Sequence, residues 1–340
     1  MTTNDMNKED SKFLFYREKL GNPQHILAPM VDGSDLTFRI LVRRHGVNLC
    51  YTPMVLSKMF VESKVYRNEV VNSLDPKERP IIIQVVGSDA NEMARTAKFL
   101  QSYCDAIDIN LGCPQKIAQK GNYGAYLALD FDHTKEIVNA VIEAVNIPVY
   151  CKVRVFEDED KTMKFVEMLQ ECGIWGIAVH GRTINEKQSM NYHARWNYIA
   201  KIKEQLKIPV IANGEMRSRE KIEECKKVTH SDGYMIGFGL LMNPGMCEGI
   251  IDNNEQIAEE YINIVFEYKD KNLVRLSDVK GHLIKMMLYK IKQKKDLLKE
   301  IGEARSFEEC KTWLEKVIEL NRKRSIETSE NDKETKKDII

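Results

Sequence analysis

Cys113 stands between Gly112 and Pro114 in the stretch INLGCPQKIAQKGNYGAYL (109–127). An apolar run, AIDI, leads into it, and a loop rich in Gly, Lys and Gln follows. Further along lie Lys152 and Arg154 in VYCKVRV, His180 and Arg182 in AVHGRT, and Asn213-Gly214-Glu215 in VIANGE. Gln84 in IIIQVVG and Asn110 in AIDINLG complete the polar set on otherwise apolar runs. A buried lysine or arginine without a partner is costly. Lys152 and Arg154 therefore call either for counter-ions within the fold or for an anionic ligand. Lys152 is suited to stabilise negative charge at an electron-rich ring edge. Gln84 is suited to hydrogen-bond a flat heterocycle, because its amide both donates and accepts.

These residues recur at the ends of short β-type runs. The runs are 25–31, 49–55, 80–87, 106–112, 148–155, 176–183, 209–215 and 233–239, and helical patterns separate them. They are apolar without alternation, as strands of a parallel sheet covered on both faces are. The segments 134–146 and 160–173 carry apolar residues at helical spacing, and the second ends at Gly173. Eight strand–helix units predict a (β/α)8 TIM barrel, an α/β fold with functional groups at the C-terminal ends of its strands. A doubly wound open sheet is the weaker alternative, since no GxGxxG follows the first run. The last two runs, with Gly214, Gly237 and Gly239, offer small residues where backbone N–H groups approach a ligand closely. Loops at this position in such barrels often hold a phosphate. A flat, phosphorylated, redox-active cofactor fits the whole set: flavin mononucleotide (FMN).

The chain has 340 residues, 43% hydrophobic and 30% charged, with zero formal net charge. That is an ordinary composition for a globular protein. No apolar run approaches the length of a membrane span, and the polar start MTTNDMNKEDSK has no signal-peptide core. The expectation is a cytoplasmic or nuclear protein without a membrane partner. None of the eight cysteines forms a CxxC pair, so no metal is expected.

Beyond about residue 245 glycines become rare and three or so helices are predicted. From Lys271 to Lys299 nine cationic residues face Asp278 and Asp296, a local excess of seven. Such a run is either the solvated face of a helix or a surface for nucleic-acid phosphates. His282 in KGHLIK is either a packing residue or one that faces such a partner. The boundaries read as a polar segment over 1–21, a barrel over 22–247, a helical domain over 248–324 and a disordered polar tail over 325–340.

The stretches LAPMVDGSDLTFR, IDINLGCPQKIAQKGNYGAYL, CKVRVFEDEDKTMKFVEMLQECGIWGIAVHGRT and IPVIANGEM resemble the tRNA-dihydrouridine synthase family. The wording from Asn110 to Leu127 is similar to its eukaryotic branch, which acts on uridines 16 and 17 of the tRNA D-loop. The resemblance covers about residues 22–245 and continues more loosely into VKGHLIKMM, similar to the start of that family's RNA-binding helical domain. It implies FMN as cofactor, NADPH (or NADH) as reductant and tRNA as substrate, with a monomer as the expected state. It implies hydride transfer from flavin N5 to C6 of a flipped-out uracil, and a proton from Cys113 to C5. A thiol, with an ordinary pKa of about 8.5, suits that role better than a serine hydroxyl. The loop behind Cys113 reads as a lid, with Gly121 and Gly124 allowing closure and Lys116 and Lys120 near tRNA phosphate.

Carried over by position, Ala28, Pro29, Met30 and Gln84 contact the flavin ring, Lys152 its N1/O2 edge, and His180 the cofactor from the sixth strand. Asn213, Gly214, Glu215, Gly237 and Phe238 line the phosphate end. Asn110, Arg154 and Arg182 are candidates for the uracil or its ribose phosphate. Many family members carry arginine where this chain has Phe238, so one arginine contact to the phosphate is expected to be missing. Two other readings remain: a flavin barrel acting on a free small molecule, and a tRNA-binding protein without catalysis.

Overall fold

The strands are apolar along their whole length because both of their faces are covered. In this computed structural model, which describes residues 11–186, 192–250, 253–271 and 273–337, they close into a parallel barrel. The staves are β1 (His25–Leu27), β2 (Leu49–Tyr51), β4 (Ile81–Val86), β5 (Ala106–Leu111), β6 (Val149–Arg154), β7 (Gly176–His180), β8 (Val210–Asn213) and β9 (Gly233–Ile236). The short β3 (Val55–Leu56) pairs with the end of β4 alone. Closure comes from Cys50 and Tyr51 of β2 pairing with Ile81 and Ile82 of β4, and from β1 joining β9. All eight expected runs contribute a stave.

Side chains alternate across each stave. The outward set, including Ile83, Val85, Ile107, Ile109, Val153, Val179 and Ala212, packs under the surrounding helices. The inward set of the lower barrel, Ile26, Leu49, Tyr51, Ile82, Ala106, Tyr150, Ala178, Ile211 and Met235, forms a separate apolar plug. Tyr16 and Leu20 complete that plug from the helical segment at 11–19, and the Tyr16 hydroxyl donates to the Pro23 carbonyl at 2.9 Å. A Cβ on Gly233 would strike that hydroxyl. The described part of the N-terminal segment is therefore a floor to the barrel. Residues 1–10 lie outside the described residues.

Aspartates start the helices. Asp89, Asp130 and Asp158 each accept the backbone N–H three residues on and cap Ala90–Leu100, Phe131–Ala144 and Glu159–Glu171. The helix expected from 134 begins three residues earlier because Asp130 provides the cap.

The C-terminal region holds more helices than the three expected. They are Asn254–Tyr268, Leu276–Met286, Leu288–Ile291, Lys295–Glu303 and Phe307–Lys337. The breaks after Met286 and Ile291 let Leu283, Met286, Met287, Ile291, Leu297 and Ile301 all reach the core that also holds Trp313 and Val317. The tail expected to be disordered from 325 continues the last helix to Lys337, and 338–340 lie outside the described residues. Its glutamates and lysines are good helix formers, and they extend a helix already anchored by packing, so no new nucleus is needed. His282 is fully buried, and the open question about it resolves to packing. No helix among the described residues is long and apolar enough to cross a membrane.

Candidate active site

Above the apolar plug the inward positions turn polar. Gln84 sits opposite Asp108 in the β4–β5 register, and Asn110 opposite Lys152 in β5–β6. Arg154 pairs with His180 across β6–β7, and His180 with Asn213 across β7–β8. The result is a ring of polar side chains around one cavity of about 440 Å³ at the C-terminal mouth of the barrel. All fifteen residues singled out from the sequence line it, from Ala28, Pro29 and Met30 round to Gly237 and Phe238.

The ring is tightly wired. Lys152 Nζ donates to Asn213 Oδ1 at 3.0 Å, and Asn213 Nδ2 donates to the Met235 carbonyl at 2.7 Å. Arg154 donates to the carbonyls of Gly112 (2.8 Å) and Thr183 (3.0 Å). It therefore braces the backbone beside Cys113. Arg182 Nε donates to the Tyr192 carbonyl at 2.8 Å, and its guanidinium lies 3.4 Å from His180 Nε2. Glu215 turns its carboxylate to the Ala194 N–H (2.8 Å) and to His193 (2.7 Å), which fixes the chain after the sixth stave of the barrel.

Burial and crowding of positive groups set the protonation states. Burial, helped by the neighbouring Arg154, pulls Lys152 down to about 8. Burial and then Arg182 lower Arg154 to about 10. Burial, with Arg154, Lys152 and Arg182 around it, holds His180 well below its ordinary value, so it is a neutral imidazole at physiological pH. Lys152, Arg154, Arg182 and Arg217 against Glu215 make the lining cationic and suit it to an anionic ligand.

Cys113 is half-buried at the rim of this ring. Its N–H donates to Asn110 Oδ1 at 2.9 Å, and its carbonyl accepts from Ala125 at 3.1 Å. The loop behind it is a short helix, Lys116–Lys120, followed by a turn that returns to the thiol. Ala118 and Tyr123 pack on Val86 and Cys113, while Lys116 and Lys120 face solvent.

A model of the dihydrouridine synthase (Dus) family matches residues 26–336. The chain belongs to the dihydrouridine synthase family. It is 38% identical over 297 residues to a tRNA-dihydrouridine(16/17) synthase [NAD(P)(+)]-like protein of Rattus norvegicus, over 87% of this chain and 67% of the rat protein. Against the tRNA-dihydrouridine(16/17) synthase [NAD(P)(+)] of Schizosaccharomyces pombe the identity is 36% over 341 residues, with 96% and 85% coverage. The chain spans 62% of the similar mouse protein. Among solved structures, a 2-naphthoyl-CoA reductase complex shares the fold, with a TM-score of 0.51, 10% identity and coverage of 66% of this chain and 49% of that one.

Two ionisable residues at or beneath this dihydrouridine synthase's cavity escaped the sequence reading. Asp108 is fully buried beneath the ring, and burial pushes its carboxyl up to about 7 against the pull of Gln84 and Lys152. The signal was present: Asp108 lies two residues before Asn110 on one strand, so both face the same side. Arg217 lines the cavity from the turn after β8, with its guanidinium 5.7 Å from the centre of the Phe238 ring. No periodicity marks a turn residue of this kind. Among the described residues no cluster of three or more His, Cys, Asp or Glu is arranged to hold a metal ion.

Proposed function

We propose that this chain is a tRNA-dihydrouridine synthase that reduces the C5–C6 double bond of uridine in the D-loop at positions 16 and 17, with FMN as cofactor and NADPH as reductant. The observation that carries the reading is the convergence of Cys113, Lys152, His180 and Asn213 on one cation-lined cavity at the barrel mouth.

The donor set fits a flavin. Gln84 and Asn110 provide amides at one side, Met30 and Met54 apolar surface, and Lys152 a cation held on Asn213. Gly214, Gly237 and Gly239 leave room for close backbone approach at the other end, beside Arg217. Bound there and reduced by NADPH, FMN would supply the hydride for C6 of the uracil. Lys152 stabilises negative charge next to it, and neutral His180 accepts or donates a hydrogen bond without adding charge. Cys113 delivers the proton to C5 from the rim, where its backbone is fixed by Asn110 and Ala125. The uridine reaches this depth only if it leaves its stack.

The helical region flanks the same mouth. Arg275 reaches Asp32 at 3.2 Å and Lys285 donates to the Asp32 carbonyl at 3.2 Å, next to the rim residue Val31. Part of the basic run is neutralised within the fold: Arg275 also pairs with Asp278, and Lys290 with Glu255. Arg275 and Lys285 still place two cationic side chains beside the mouth, which favours a polyanionic substrate over a free small molecule.

The test is nucleoside mass spectrometry on unmodified tRNA after incubation with flavin-loaded protein and NADPH, beside a Cys113→Ala variant. Dihydrouridine mapped to 16 and 17 from the wild type, and a loss of about 10²-fold or more in the variant, is the expected result. Absence of product from several intact tRNAs would refute the activity.

A further inference from the structure

Below the cavity, Asp108 Oδ2 accepts from Gln84 Nε2 at 2.8 Å. Gln84 Oε1 in turn accepts from Asn110 Nδ2 at 2.8 Å. Asn110 Oδ1 then accepts two backbone N–H groups, Gly112 at 3.0 Å and Cys113 at 2.9 Å. Each amide in this chain has one orientation that satisfies both neighbours. The Asp108 Oδ2 facing Gln84 Nε2 can only accept from that amide N–H, whichever oxygen carries a proton, and backbone N–H groups at the other end only donate. The two ends agree on a single polarity.

The carboxyl at the far end also attracts Lys152, but Gln84 is its one side-chain hydrogen-bond partner among the described residues. Asp108 Oδ1 is buried without a hydrogen-bond partner, and so are the nearby hydroxyls of Tyr51 and Tyr150. A hydrophobic residue would remove that unmet polar atom, since the plug below is apolar. A buried carboxylate kept at such a cost points to a role in the site above it.

We propose that Asp108 is a positioning residue for Cys113, acting through Gln84 and Asn110 to hold the backbone that carries the thiol. Gln84 alone, without the acceptor beneath it, can rotate its amide and release Asn110. Asn110 then no longer fixes the Cys113 N–H, and the thiol loses its place at the rim. Asparagine at 108 keeps the device, because its oxygen accepts from Gln84 and its amide nitrogen replaces the unpartnered oxygen.

The inference rests on the proposed reduction of uridine, and the test separates the two. Flavin-loaded wild type, Asp108→Val and Asp108→Asn are compared in three measurements. Reduction of the bound flavin by NADPH, in which Cys113 takes no part, should fall at least about tenfold less than uridine reduction in D108V, the remaining loss coming from Gln84 and Lys152 beside the flavin. Uridine reduction by the pre-reduced enzyme should fall about a hundredfold in D108V and stay within about threefold in D108N. Alkylation of Cys113 by iodoacetamide, read by peptide mass spectrometry, should rise at least about threefold in D108V, with the partly exposed Cys172 as an unchanged internal control. Wild-type values for Cys113 alkylation in D108V overturn the relay, and so does equal loss of both half-reactions. If D108V does not accumulate, D108N decides: a loss of uridine reduction of about thirtyfold or more refutes it. A wild type that makes no dihydrouridine while D108V still loosens Cys113 refutes the activity and leaves the relay standing.

Discussion

Gly124 lies so close to Cys113 that a Cβ on the glycine would come within 2.8 Å of the cysteine carbonyl oxygen and 2.9 Å of its Cβ. The glycine also has a φ of +63°, in the left-handed region that favours glycine. The loop therefore folds back on the thiol only because residue 124 has no side chain. Gly124→Ala should cost about 1–3 kcal/mol of stability from backbone strain and contact. It should also slow uridine reduction by about a hundredfold through displacement of Cys113. Urea unfolding and single-turnover kinetics check the two parts. A variant as active as the wild type would mean that the loop does not set the thiol's position.

Phe238 is half-exposed at the cavity edge, where the family resemblance leads one to expect arginine, and Arg217 brings its guanidinium over that ring from another loop. The positive charge is thus supplied by a residue twenty-one positions upstream. Arg217→Ala should weaken FMN binding about tenfold, the equivalent of about 1.4 kcal/mol, and leave riboflavin binding unchanged. Flavin fluorescence titrations of the apoprotein measure both. Equal weakening of FMN and riboflavin would place Arg217 away from the phosphate.

What was legible in the sequence follows from which forces act locally. The staves were readable because parallel strands with two covered faces leave continuous apolar runs such as Ile81–Val86. The cavity residues were readable because polar side chains at the ends of such runs need a reason to be there. Asp108 was legible only by its two-residue spacing from Asn110, which puts both on one face of β5, and its burial beneath the ring appears only once the barrel closes. The floor made by Tyr16 and Leu20 was hidden in a short polar segment whose burial depends on contacts far along the chain, such as Gly233. Arg217 was hidden because the direction of a turn residue is set by tertiary structure.

The fully buried Asp108 should leave a mark on stability. Its folded-state pKa of about 7 lies above the unfolded value of about 4. Between those values the folded state holds the proton and the unfolded state has released it. Stability from this group is thus fully present below about pH 4 and is lost as pH rises toward 7, by up to about 1.4 kcal/mol per pH unit. Asp108→Asn removes the titration. Urea stability of the variant relative to the wild type should therefore rise by a few kcal/mol between about pH 5 and pH 7.5. A difference that stays flat across this range would show that Asp108 is ionised in the fold throughout.

One buried histidine of the helical region packs into the first helix of the barrel. The His282 ring stacks on Phe38 with centroids 4.3 Å apart and meets Tyr261 edge-on at 5.3 Å. Its Nε2 bonds the carboxylate of Asp35, the residue that caps Leu36–Arg44. Burial alone would raise the Asp35 carboxyl, but its interaction with His282 outweighs that and holds it well below the usual carboxylate range. A depressed carboxyl stabilises the fold above its unfolded value of about 4, and that contribution fades as pH falls further. His282→Ala removes a buried ring and leaves Asp35 without its main partner. The loss should be about 3–5 kcal/mol, concentrated at the contact between helices Leu36–Arg44 and Leu276–Met286. Hydrogen exchange should show 276–303 losing protection while β4–β9 keep theirs, and tRNA affinity should fall with flavin content unchanged. Uniform loss of protection across the barrel would instead make His282 part of a single cooperative core.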